Sequence, residues 1–424
     1  MRIAVVGAGI VGVTTAYELA RSGHEVTVFE RRSSVAEESS FANAGVIAPG
    51  YVTPWAAPGM PLKVVGQLLR SHAAVRLGGP GVLTQLPWLW RWWRACRRTV
   101  HEANRSAMQE LALFSRQRLE ELSKELSLEF EQRRGYLVLL RSAREVHEAQ
   151  NGLKLLERQG IAHALVDAAA CRRLEPGLNP ETRLQGAIHL PLDGLGNCRH
   201  FAHLLKNEAQ RLGAVFRFDT EVRSLSAGPA PKLRLLTGGE EAFDAVVICA
   251  GVQANRLLKP LHIALPLLPV YGYSVTAPLR FVEGHPDLGP QAALMDERFK
   301  VAISRLGQRV RVAGSAELGG NASDISAAPL RTLYRVLDDW FPGAVHLQQA
   351  QVWKGARPML PDGPPVLGAS GLPGVWLNLG HGASGWALSC GSAKVLSEVI
   401  SGRSAPMDLA RLSMARLQLR TFAT

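Results

Sequence analysis

Short apolar runs closed by a glycine or an acid alternate along this chain with stretches whose apolar positions fall three and four residues apart. The first run, Arg2-Ile3-Ala4-Val5-Val6, predicts a strand. It is followed by Gly7-Ala8-Gly9-Ile10-Val11-Gly12, a helical run to Ser22 and Gly23, and a second strand, Glu25-Val26-Thr27-Val28-Phe29, ending in Glu30. The same reading predicts helices over 62–77, 104–128, 143–159, 198–212 and 330–341. Strands are expected over 135–140, 186–190, 215–218, 221–225, 270–277, 299–304 and 310–314. Residues 243–251 are continuously apolar, the mark of a parallel strand buried on both faces, and end in the small residues Ala250 and Gly251. A final strand, Val375-Trp376-Leu377-Asn378, leads through Gly380-His381-Gly382-Ala383-Ser384-Gly385-Trp386 into a helix that reaches Ile400.

The first thirty residues form a complete βαβ unit, and its glycines have separate tasks. Gly7 makes the tight turn, Gly9 lets the backbone approach a pyrophosphate, and Gly12 lets helix and strand pack closely. The helix amino terminus, with Ile10 and Val11 in its first turn, presents unpaired N–H groups and a partial positive charge to the phosphates. Glu30, at the tip of the second strand, is placed to accept hydrogen bonds from ribose hydroxyls, and an acid there disfavours a 2′-phosphate. The motif leaves FAD and NAD as the two candidates. Small residues dominate 42–50, as expected where backbone runs against a flat ring or a pyrophosphate; a bland small-residue loop is the other reading.

Composition narrows the class. At 424 residues, two domains are expected. With 47% hydrophobic and 20% charged residues the chain is globular, and no stretch of eighteen uninterrupted apolar residues occurs, so a soluble or peripherally attached protein is expected. Five cysteines lie far apart, without C-x-x-C pairing, which argues against a disulfide framework or a zinc site and for a reducing compartment. No metal is expected. The formal charge of +12 is spread along the chain apart from a denser patch over 91–105, and no RNA-binding module accompanies it, so no nucleic-acid partner is expected. Within Trp88-Leu89-Trp90-Arg91-Trp92-Trp93-Arg94 and the following Arg97 and Arg98, four of the nine tryptophans stand beside four arginines. Such a helix can lie in a membrane interface, or can be packed with its arginines solvated.

The residues Asn43-Ala44-Gly45 with Pro49-Gly50-Tyr51, Gly272-Tyr273-Ser274, Arg357-Pro358 with Pro361-Asp362-Gly363, and Gly380-His381-Gly382 with Gly385-Trp386 resemble, in the same order and over nearly the whole chain, the small subunit of bacterial D-amino acid dehydrogenases. These are FAD enzymes of the D-amino acid oxidase superfamily. The resemblance implies FAD rather than NAD. It implies an α/β fold, with a Rossmann-like FAD-binding domain assembled from discontinuous segments (1–60, 192–262 and 348–424) and an α+β substrate domain with a mixed sheet (61–191 and 263–347). It assigns FAD contacts to Gly7, Gly9, Ile10, Val11, Gly12, Glu30, Arg31, Asn43, Ala44, Gly45, Val46, Ile47, Val222, Ala250, Gly251, Arg357, Gly380, His381, Gly382, Ser384, Gly385 and Trp386. Some superfamily relatives attach the flavin through a cysteine ahead of the segment matching 359–363; Lys354-Gly355-Ala356 stands there, so non-covalent FAD is expected.

The implied reaction is oxidation of a D-amino or D-imino acid to a 2-oxo acid and ammonia, with hydride transfer from Cα to flavin N5. Arg357 is the first candidate for the substrate carboxylate, because a planar guanidinium matches a carboxylate bidentately and Gly355 and Pro358 would hold it in a fixed segment. A surface arginine is the competing reading. Tyr51, Tyr273 and His381 are further candidates, for hydroxyl contacts to the carboxylate or for shaping the pocket, and a packed tyrosine with its hydroxyl in water is the bland alternative. The turn at 380–385 could bring the positive end of the last helix to the N1/C2=O edge of the flavin. The family passes electrons to a quinone or another respiratory acceptor, which implies the bacterial cytoplasm, peripherally on the inner membrane. A cis-4-hydroxy-D-proline dehydrogenase and an oxygen-using glycine or D-amino acid oxidase are the nearest alternatives.

Overall fold

The computed structural model describes residues 1–68, 72–284 and 288–417. Two large sheets organise it, and each owes its form to the spacing of apolar residues along its strands. In the six-stranded sheet the order is Val366–Ala369, Val375–Leu379, Ala245–Ile248, Arg2–Val6, Glu25–Phe29 and Val215–Arg217. Arg2–Val6 pairs in parallel with Ala245–Ile248 and Glu25–Phe29, while Val366–Ala369 is antiparallel to its neighbour. Side chains alternate across a strand. Ile3, Val5, Val28 and Val247 therefore enter a core under the helices Ile10–Arg21, Cys198–Arg211 and Gly385–Ile400. Ala4, Val6, Val246 and Ile248 enter a second core, with Leu233 and Phe243 beside the three-stranded sheet and Leu257 of the helix Ala254–Leu258. Burial on both faces is why these strands read as continuous apolar runs.

The ten-stranded sheet has the main order Gln351–Met359, Leu268–Pro278, Arg309–Leu318, Val301–Leu306, Ala293–Asp296, Arg133–Leu140, Gly186–Leu195 and Val46–Ile47. Its alternation separates two chemistries. Leu137, Leu139, Val275, Ile303 and Val312 pack with Leu333, Val336 and Trp340 of the helix Ala327–Trp340. The residues between them, among them Tyr136, Val138, Met295, Ala302, Ala313 and Gly272, face a cavity enclosed between the two sheets. The long helix Arg98–Glu125 spans the other side and is tied to the first helix by the buried pair Arg118 Nε to Glu18 Oε1, 2.7 Å.

One expectation is corrected and two are filled in. The helix over 62–77 is a helix Met60–Leu68 followed by a strand Val75–Leu77, part of the span lying outside the described residues. Parallel pairing of Val75–Leu77 with Arg309–Leu318 overrides the local helical period. Secondly, Gln351–Met359 lies in a segment counted with the FAD-binding domain, yet it is an edge strand of the ten-stranded sheet, aligned residue for residue with Leu268–Pro278. Its glycine and proline content masks the strand pattern. Thirdly, the tryptophan-rich helix, Leu86–Ala95, is neither wholly packed nor wholly free. Trp88 and Trp92 are 6% and 7% exposed and pack around Trp55, whereas Trp90 and Trp93 are 59% and 50% exposed and stack on each other at 4.9 Å.

Candidate active site

The glycine turn is set by contacts that no side chain could share. Gly7 has φ +105°, and a Cβ there would lie 2.7 Å from the Cys249 carbonyl oxygen. A Cβ on Gly12 would lie 1.9 Å from the Gly7 carbonyl oxygen, so the first helix can rest on its strand only with glycine at 12. Gly9 differs: its φ of −65° suits any residue, and a Cβ there would meet only Ser40 Oγ, at 3.6 Å. The space ahead of Gly9 belongs to the cavity. Ile10 N–H donates to Ser40 Oγ at 3.1 Å, and Glu30 accepts from the Ala8 and Arg32 N–H groups at 2.7 and 2.9 Å. Burial raises the Glu30 carboxyl above its ordinary range, and those two N–H groups oppose the shift.

The following loop is clamped to the ten-stranded sheet. Asn43 Oδ1 accepts from Gly45 N–H at 3.0 Å, the buried Arg311 donates to the Asn43 carbonyl at 2.9 Å, and Ser304 donates to the Ala44 carbonyl at 2.7 Å. Ser39 Oγ reaches the Ala356 carbonyl at 2.5 Å, which links this loop to the strand that carries Arg357.

Arg357 is the unusual charge of the site. Its guanidinium lies flat against Gly272, where a Cβ would come within 2.4 Å of Cζ, and Nη1 donates to the Ser315 carbonyl at 2.7 Å. Burial alone lowers its pKa to about 10, which leaves it charged at neutral pH, and no carboxylate of the described residues pairs with it. Arg357 is thus a half-buried, hydrogen-bonded guanidinium that borders the cavity without a counter-ion among the described residues. Of the other candidates, Tyr51 donates to Glu297 Oε2 at 2.8 Å and accepts from Lys300 Nζ at 3.1 Å. Tyr273 borders the cavity, but its side chain belongs to the core on the helix side of the sheet and its hydroxyl donates to Glu317. Both hydroxyls are thus engaged, and both tyrosines shape walls.

His381 is buried, with Nε2 3.1 Å from Ser392 Oγ, and burial drives its pKa down to about 3. The ring is neutral at physiological pH. Because the folded value lies below 6.5, the stability it contributes is present above pH 6.5 and is lost as pH falls towards 3. Gly380 and Gly382 take positive φ on either side of it, turning the chain so that the helix Gly385–Ile400 points its amino terminus at the cavity.

All the residues assigned in the sequence to cofactor or substrate border one cavity of about 1470 Å³, except Gly12, which packs under the turn, and Ile47, which is core. That volume exceeds the roughly 300–1,000 Å³ of a single small-molecule site. It suits a dinucleotide and a small substrate together. Arg31, assigned to the cofactor, borders the cavity but is paired with Glu38. Sequence reasoning missed Ser40 and Arg105. Nothing in the local sequence marks the Ser40 hydroxyl as a partner of the first helix, and Arg105 reads as the last arginine of the basic patch over 91–105. Among the described residues no group of acids, histidines and cysteines could hold a metal ion.

Fold and cavity together suit a protein that holds a dinucleotide against a glycine turn. The family model for FAD-dependent oxidoreductases, DAO, matches residues 2–399, and the chain belongs to that family. It is 40% identical over 419 residues to a D-amino acid dehydrogenase of Allorhizobium ampelinum, covering 98% of each chain. To one of Rhizobium rhizogenes it is 39% identical, covering 98% of this chain and all of the other. Among solved structures it resembles glycine oxidase from Geobacillus kaustophilus (TM-score 0.77, 22% identity, 98% and 99% of the two chains) and iminodiacetate oxidase from Chelativorans sp. BNC1 (TM-score 0.73, 22% identity, 97% and 98%). At those identities the likeness is one of fold. The cofactor is FAD, and the Gly7 cradle with its open face at Gly9 fits it.

The two glycines should separate folding from cofactor binding. Gly9→Val is expected to keep the thermal stability of the cofactor-free protein and lose bound FAD, while Gly12→Ala should lower both. Retention of flavin by Gly9→Val, measured as flavin per protein after gel filtration, would move the pyrophosphate elsewhere.

Proposed function

We propose that the protein oxidises D-amino acids to 2-oxo acids and ammonia and passes the electrons to a quinone or another respiratory acceptor rather than to oxygen. The observation that carries the reading is Arg357, a half-buried guanidinium hydrogen-bonded to Ser315 that borders the cavity without a carboxylate partner among the described residues. The dehydrogenase names of relatives near 40% identity over 98% of the chain support the choice of substrate and stereochemistry. When bound, FAD supplies a two-electron acceptor for the substrate Cα–H bond.

In this reading the first domain comprises 1–60, 192–262 and 348–424, and the second 61–191 and 263–347. The glycine turn, Glu30, the loop 43–47, Val222, Ala250, Gly251 and the segment 380–386 hold FAD. Arg357 fixes the substrate carboxylate, and so orients Cα–H, with Tyr51 and Tyr273 as walls. Orientation of this kind lowers the entropic part of the barrier. His381, being neutral, packs the turn and leaves the amine to be deprotonated in solution. The amino terminus of Gly385–Ile400 lies near charge arriving on the flavin.

The same reading places the protein peripherally on the cytoplasmic face of the bacterial inner membrane. No helix among the described residues is long and apolar enough to cross a membrane. Exposed Trp90 and Trp93, with exposed Leu83 and Leu86 nearby in sequence and the arginines at 94, 97 and 98, support an interfacial patch.

Arg357→Ala should raise the Michaelis constant and slow flavin reduction while leaving FAD bound, at a cost of about 2–5 kcal/mol in kcat/KM. Unchanged kinetics would move the carboxylate site. The same dye-linked assay with D-alanine against cis-4-hydroxy-D-proline, and a parallel measurement of peroxide, separates the imino-acid and oxidase alternatives. For the membrane, Trp90→Ser with Trp93→Ser and Arg94→Glu should release the protein from anionic liposomes with dye-linked activity intact. Binding as before would show that the patch is not the anchor.

A further inference from the structure

Every basic side chain that borders the cavity is accounted for by an acid, with two exceptions among the described residues. Arg31, Lys63, Arg144, Arg256, Arg298 and Lys300 each have a carboxylate within ion-pair distance. Arg357 is one exception and Arg105 is the other. Arg105 has no hydrogen bond or ion pair to any described residue, its Nε is buried without a partner, and burial pulls its pKa below the ordinary arginine value. A largely desolvated cation that borders a cavity without a counter-charge is costly unless a ligand supplies the charge.

Its place in the fold says which part of the ligand that is. The helix Arg98–Glu125 runs beside Gly385–Ile400, with Ser115 against Gly391, and both run in the sense of Ile10–Arg21: Arg118 and Glu125 pair with Glu18 and Arg21, while Thr14 and Glu18 meet Ser389 and Ser397. Counted from Ser115 against Gly391, Arg105 falls about 15 Å back, at or just past the amino-terminal end of the last helix, and Arg105, Ser384 and Gly385 all border the cavity. Arg357 lies instead on the sheet, against Gly272.

We propose that Arg105 stabilises the negative charge that substrate oxidation delivers to the flavin, acting beside the amino terminus of Gly385–Ile400, while Arg357 serves the substrate carboxylate. The inference rests on the reading above that the flavin ring lies at that end of the cavity. The balance requires such a charge. The substrate Cα–H bond breaks, two electrons and one proton pass to N5, and the substrate leaves as an iminium that water hydrolyses to the 2-oxo acid and ammonium. The oxidised ring is neutral, so it gains one net negative charge unless N1 is also protonated. A guanidinium beside that charge lowers the energy of the reduced form.

The test is the two-electron midpoint potential of the holoenzyme, measured by equilibration with a reference dye, in which no amino acid takes part. Arg105→Met should make reduction about tenfold less favourable, a fall of about 30 mV for a two-electron couple. Arg105→Lys should recover most of it, and the Michaelis constant for D-amino acids should change less than about twofold. Arg105→Gln, which keeps a polar side chain, should show the same fall and serves if the methionine variant does not fold. An unchanged potential in the folded neutral variants would overturn the proposal. So would an unchanged potential with a tenfold higher Michaelis constant, which would place Arg105 on the substrate. Absence of D-amino acid turnover in the wild type would sink the proposed function but leave the potential measurable, so the two failures are distinguishable.

Discussion

The contact on which the rest of the structure depends is the one between Gly12 and the Gly7 carbonyl, where a single added carbon would sit 1.9 Å from the oxygen. Because the helix Ile10–Arg21 can approach its strand that closely, its first N–H groups point along the mouth of the six-stranded sheet rather than past it. Gly7 in turn lies against the end of Ala245–Ile248, so three segments far apart in sequence meet at one turn. An anion held there is held by backbone, and no basic side chain is needed.

The second sheet supplies what the first lacks. Its cavity face carries mostly small and apolar residues, with Ser315 and aromatic rings such as Tyr136, and among the described residues its strands bring one arginine there, Arg357. The loop through Asn43 and Ala44 is fastened to that sheet by Arg311 and Ser304, so the cofactor's loop and the floor of the substrate space cannot move independently. A reaction between cofactor and substrate needs this kind of fixed separation. Charge is distributed accordingly: most basic groups at the cavity are neutralised locally, and among the described residues Arg357 and Arg105 are the two that have no acid partner.

Much of this was legible in the sequence where the physics is local. The βαβ unit, the buried strand at 245–248 and the helix after Gly385 follow from apolar period and glycine spacing over a few residues. What was hidden depends on pairing between distant segments. Val75–Leu77 is a strand because Arg309–Leu318 lies beside it, and Gln351–Met359 is one because of Leu268–Pro278. Tyr273 and Gly272 are adjacent in sequence, and alternation sends the Tyr273 side chain to the helix side of the sheet while Gly272 lies under Arg357, but only the fold shows which face meets the cavity. The tryptophan-rich helix shows the same limit, since its sequence places four indoles together and only the fold decides that two face Trp55 and two face solvent.

The central claim, that a family flavin and a cation for the substrate carboxylate meet in one cavity to oxidise D-amino acids, is tested most directly by an anaerobic absorbance titration of the purified holoenzyme. A panel of D-amino acids should bleach the flavin while the matching L-enantiomers leave it oxidised. Bleaching by the L-enantiomers alone, or by neither series although FAD is bound, would contradict it.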